Sequence, residues 1–124
     1  MIIKKIEDEF SICQVSDFSM IKFEKKYCFT QKTIDENSLV CLTSDVPSNV
    51  VKQDDGWKGF YIDGVLDFSL IGVLAKIATT LSENDISIFA LSTYNTDYIL
   101  VKKADYDRAL SILATKGYKI EDWC

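Results

Sequence analysis

DFSLIGVLAKIATTLSENDISIFALSTYNTDYILVKK, Asp67 to Lys103, is the stretch that decides the fold. Within it, Ser69 to Glu83 places Leu70, Leu74, Ile77 and Leu81 on one stripe, with Ile71 and Ala78 beside it, which is helical periodicity. Asp67 or Ser69 can cap the first turn, because their side-chain oxygens accept from the free amides there. Ile86–Leu91 and Tyr98–Lys103 then read as two strands joined by a polar turn, STYNTD. Upstream, Trp57–Asp63 is rich in aromatic residues with a period near two, a strand. Downstream, Asp105–Gly117 has Tyr106, Ala109, Leu110 and Leu113 on one face, and Gly117 suits the left-handed position after a helix end. Tyr118–Glu121 is a short last strand. The order β-α-β-β-α-β is the ferredoxin-like pattern, an α+β fold. It predicts a four-stranded antiparallel sheet with both helices on one face.

The N-terminal half echoes this more faintly. Phe10–Val15, Tyr27–Lys32 and Ser38–Thr43 read as strands. TIDENSLVC from Thr33 lies against TYNTDYILV from Thr93 at an offset of 93 − 33 = 60, each a polar turn followed by an apolar strand. At the same offset DVPSNVV from Asp45 lies against DYDRALS from Asp105, which predicts a short helix against a longer one. The first helix has no full counterpart: Ser16–Lys26 holds only a turn or so of helical pattern. Val51–Gly56 is the best boundary, giving a degenerate unit over 1–56 and a complete one over 57–124.

A chain of 124 residues is one compact domain or two very small ones. Its net charge of −5, with Arg108 the single arginine, lacks the cationic footprint that phosphate backbones or anionic membranes demand. No apolar run reaches a transmembrane length and Met1–Phe10 is too charged for a signal peptide, so a soluble cytoplasmic protein is expected. Cys13, Cys28 and Cys41 sit in apolar strand-like runs and read as reduced, buried thiols; Cys124 is terminal. With no histidine and no C-x-x-C pair, neither a zinc site nor Ser-His or Cys-His catalysis is expected, and no cofactor. A phosphate-binding enzyme on this fold would want an arginine in the first strand–helix loop. A metal chaperone would want paired cysteines there, and an RNA-binding sheet a basic face.

Leu66–Val101, with a glycine at the helix start and STYNTD at the turn, resembles the ACT-domain family. It is similar to small bacterial proteins with two ACT-like units in one chain and to the tandem-ACT amino-acid sensors. The likeness is strong over Trp57–Tyr118 and weaker over Phe10–Gly56. It implies two ferredoxin-like units per chain, the first degenerate, without enzymatic activity. It also implies a free amino acid bound between the first strand–helix loop of one unit and the second strand of another. A homodimer and an enzyme that it regulates are the expected partners.

On that resemblance the candidate site is Asp67, Phe68, Ser69, Leu70, Ile71 and Gly72 in the loop, Ser87 and Ile88 at the second strand, and Ser92, Thr93, Thr96 and Asp97 in the turn. An amino acid's carboxylate needs donors, and free amides at a helix start are donors. Its ammonium needs an acceptor, and Asp97 supplies a charge-assisted one. Each residue also has a structural reading. Gly72 serves either close approach of a ligand or close helix–sheet packing. Asp97 serves either the ammonium or the closing of the hairpin turn. Ser87 and Ile88 are either a ligand edge or ordinary strand. The rival reading for the whole chain is an interaction module that dimerises through its sheet and binds no metabolite; ferredoxin-like sheets host many functions.

Overall fold

The structure, a computed structural model, describes residues 1–63 and 72–122. In chain order these form β1 (Ile2–Val15), β2 (Cys28–Lys32), β3 (Asn37–Leu42), β4 (Val50–Ile62), α1 (Val73–Ser82), β5 (Ile88–Ser92), β6 (Asp97–Lys102), α2 (Tyr106–Thr115) and β7 (Lys119–Asp122). The chain divides into two compact units: Met1–Glu7 with Lys58–Cys124, and Asp8–Trp57. The long strands β1 and β4 contribute residues to both, and Val51–Gly56 lies inside β4.

In the helical unit the strands run in the order β7-β1-β4-β6-β5. β5 and β6 form the expected antiparallel hairpin, Ile88 opposite Val101 through Ser92 opposite Asp97. One strand is additional to the expected four. Ile2–Glu7 lies between β4 and β7 and pairs β7 in parallel, Ile2 opposite Lys119 through Lys5 opposite Asp122. Charged residues hid this strand, since Lys4, Lys5 and Glu7 interrupt its apolar pattern. Each is paired: Lys4 with Glu121 at 2.7 Å, and Lys5 with Glu7 at 3.3 Å and Asp122 at 3.6 Å. Ile3 and Ile6 are buried between them.

Both helices present the apolar stripe read from the sequence. Ile77 and Leu81 of α1 and Tyr106, Ala109 and Leu113 of α2 are fully buried against Phe60, Ile62, Ile99 and Val101. Each large aliphatic side chain so buried contributes about 1.5–3 kcal/mol. Tyr106 keeps its hydroxyl satisfied inside the core by donating to the Gly59 carbonyl at 2.7 Å. Gly117, at φ +96, ends α2 with Gly117 N–H donating to Ala114 O and Tyr118 N–H to Leu113 O.

The other unit has strand order β2-β3-β1-β4. Its hairpin repeats that of the helical unit residue for residue. Cys28 faces Cys41 as Ile88 faces Val101, the same pairing moved by 60 in both strands (88 − 28 = 101 − 41). The 3-10 turns Thr43–Asp45 and Lys103–Asp105 obey the same shift. The helices do not. Residues 16–26 hold turns and no helix, and the short helix expected from Asp45 is only the end of that 3-10 turn. Phe18, Ile21 and Val46 cover the core of Cys13, Val15, Leu39 and Cys41 from loops instead.

Candidate ligand site

Asp67, Phe68, Ser69, Leu70 and Ile71 lie outside the described residues, so the site is described from Gly72 onward. Gly72 is the N-cap of α1, with φ +83 and ψ +7, and its carbonyl accepts from Lys76 N–H at 2.8 Å. A Cβ built there would meet nothing within 4 Å. Close packing against the described residues therefore does not explain this glycine. Its left-handed backbone does, because an L side chain disfavours that conformation.

The turn residues come together. Thr93 N–H and Thr93 Oγ1 both donate to the Thr96 carbonyl, at 2.8 and 3.1 Å. Ser92 Oγ donates to Asp97 Oδ1 at 2.6 Å, across the last pair of the hairpin. Asp97 thus closes the turn and still carries a second carboxylate oxygen. Ser87 and Ile88 sit at the opposite end of β5, about 13 Å away at strand rise. They line an open groove of about 580 Å³ beside the C-terminal half of α1, with Thr79, Ser82 and Asp85. β5 pairs only β6 among the described residues, and Ile88 at its start lines that groove.

A second copy of the loop motif recurs at an offset other than the 60 of the hairpins. DFSMI, Asp17–Ile21, repeats DFSLI, Asp67–Ile71, fifty residues earlier (67 − 17 = 50). Asp17 Oδ1 accepts from Ser19 Oγ at 2.6 Å, Ser19 N–H at 3.0 Å and Asn49 Nδ2 at 3.2 Å. The Ser19 hydroxyl first, and the Ser19 amide after it, hold its carboxyl below the usual range. Phe18 and Ile21 plug the core beneath. The change of offset from 50 to 60 is ten residues, and ten is the length of α1.

Residues 52–115, just over half of the chain, match the family model for the ACT domain. The chain belongs to the ACT domain family. Its ACT fold is α+β, with a largely antiparallel sheet and few helices. No curated protein matches it in sequence. Among solved structures it is similar to protein Atu0741 from Agobacterium tumefaciens, at 28% identity and TM-score 0.84, over 98% of this chain and 92% of that one. It shares its fold with the aspartokinase alpha and beta subunits, at 16% identity and TM-score 0.61, over 93% of this chain and 96% of that one. It also shares it with the aspartate kinase of Clostridium acetobutylicum, an allosteric enzyme, at 14% identity and TM-score 0.62. There the match covers 89% of this chain and 33% of the kinase. ACT domains are regulatory rather than catalytic modules, and the family points to small-molecule binding. Among the described residues no helix is long and apolar enough to cross a membrane.

Proposed function

We propose that this protein is a non-catalytic ACT sensor that binds a free amino acid where the ACT domains of two chains meet. The observation that carries the reading is the groove holding Ser87 and Ile88 at the start of β5, a strand that pairs only β6 among the described residues and lies within the segment that matches the ACT model. Ser87–Ile88 and the Ser92–Asp97 turn stand at opposite ends of β5, so one small ligand touches both only if a second chain supplies part of the site. Asp67–Gly72 offers backbone donors to the carboxylate, and Asp97 offers its second oxygen to the ammonium.

The chain is also read as two ACT-like units, the first stripped of its helices. Ile21 to Cys28 spans 7 residues and Ile71 to Ile88 spans 17, a difference of ten, the length of α1. Asp45 to Val50 spans 5 and Asp105 to Lys119 spans 14, a difference of nine, one short of α2. The shared hairpin register supports the same reading. A homodimer follows, with an enzyme that it regulates as the partner downstream.

A thermal-shift screen against the common amino acids tests the proposal, because a ligand of the native state raises the melting temperature by mass action. One or a few related amino acids should raise it. A flat response to all of them would leave the interaction-module reading in its place.

A further inference from the structure

Lys76, Thr79, Thr80, Lys116 and Tyr118 line a second groove, of about 460 Å³, with Gly72 and Ala75 completing its wall. All five side chains carry hydrogen-bond donors, and lysine is a donor only. None has a side-chain hydrogen bond or ion pair among the described residues; the threonines are held through their carbonyls and the lysines through their amides. Elsewhere in the same unit Lys4, Lys5, Lys58, Lys119 and Arg108 are all paired with carboxylates. Among the described residues no carboxylate lines this groove, although the chain has 19 acidic residues against 14 basic ones. Two cations drawn from separate elements therefore line one groove with no carboxylate opposite them among the described residues.

We infer that this groove is an anion site for a small metabolite bearing a phosphate group or paired carboxylates. An anion in the groove would accept charge-assisted hydrogen bonds from the two lysines and further bonds from the hydroxyls of Thr79, Thr80 and Tyr118. The volume lies in the range of small-molecule sites, roughly 300–1,000 Å³. The Tyr118 ring and Ala75 give the remainder of a ligand an apolar wall. This site goes beyond the amino-acid reading. Among the described candidate residues only Gly72 is shared with it; Thr79 lines both grooves, and Ser87, Ile88 and Asp97 do not line this one.

The test is an amide NMR titration of the full chain with sodium phosphate and, separately, sodium succinate, each against sodium chloride at matched ionic strength. No amino acid is present, so failure of the sensor reading leaves this result untouched. Saturable shifts at residues 75–80 and 116–118 are expected with at least one of the two anions, and not with chloride. Phosphate alone would identify a phosphoester ligand, and succinate alone a dicarboxylate. Lys76→Gln with Lys116→Gln should weaken the apparent affinity about tenfold or more per lysine while leaving the remaining spectrum in place. Shifts that do not saturate, that chloride reproduces, or that survive the double substitution would overturn the inference.

Discussion

Replacing Gly72 probes the local geometry and the proposed site together. The backbone there is left-handed, φ +83, and the space around a new Cβ is empty. Any cost of alanine is therefore local strain, not collision with the core. A left-handed residue with a Cβ costs about 1–2 kcal/mol, and the stiffer unfolded chain returns about 0.4–1 kcal/mol of that. Gly72→Ala should lose up to about 1.6 kcal/mol on these terms. Asparagine tolerates this region, so Gly72→Asn should lose less than alanine does. Valine is β-branched at a positive φ and should lose the most. Urea denaturation of the three variants gives the order. If alanine and valine prove as stable as glycine, the left-handed assignment is wrong. Ligand affinity separates a further point. Alanine and asparagine both place a Cβ in the path of a ligand, so both should weaken amino-acid binding although their stabilities differ.

Other outcomes follow from individual contacts. Asp97→Ala removes only the partner of Ser92 at a partly exposed turn, so stability should change by under about 0.5 kcal/mol, while amino-acid affinity falls roughly ten- to a hundredfold; calorimetry with the ligand from the screen decides. Tyr106→Phe deletes the hydroxyl that serves the Gly59 carbonyl in the core and should cost about 1–2 kcal/mol in urea denaturation; an unchanged midpoint would contradict the buried bond. Burial, with Asp55 nearby, pushes the Cys13 thiol up to about 11, and burial with Cys13 and Asp45 pushes Cys41 to about 12. Of the described thiols, the less buried Cys28 should therefore react first with a thiol reagent at pH 8, and equal rates for all three would refute the packing. Glu7 and Glu121 are held below the ordinary value of 4.5 by hydrogen bonds, from Lys5 and from Lys4 first, and Asp17 and Asp55 below 3.8 by Ser19 and Ser11. Their contribution is complete above those values and is lost as pH falls through the lower folded ones, so acid titration should lower the melting temperature from about pH 4.5 downward.

The helical unit was legible because its helices bury one stripe and its hairpin is bounded by a polar turn. Ile77, Leu81, Ala109 and Leu113 all occupy the core that their spacing assigns. The strand Ile2–Glu7 was not legible. Its lysines and glutamate are satisfied by β7 and β4, and those partners are more than fifty residues away. The polar run Lys52–Asp55, within the expected boundary Val51–Gly56, is exposed strand, and the two compact units divide just after it, between Trp57 and Lys58. The loop over 16–26 shows the limit of periodicity. Phe18 and Ile21 have near-helical spacing, yet they plug a core directly from turns pinned by Asp17. Of the site, the turn contacts were readable from residue type, whereas the left-handed Gly72 needed the backbone. The groove of Lys76 and Lys116 needed the tertiary fold, since nothing in the sequence brings the start of α1 to the end of α2.

Isothermal titration calorimetry of the wild-type chain with each common amino acid, paired with sedimentation of the same mixtures, tests the central claim most directly. The account predicts saturable heat for one or a few chemically related amino acids, together with a shift toward dimer at saturation. No heat for any of them, or a ligand that binds a monomer without changing its association, would contradict an amino-acid sensor whose site lies between two chains.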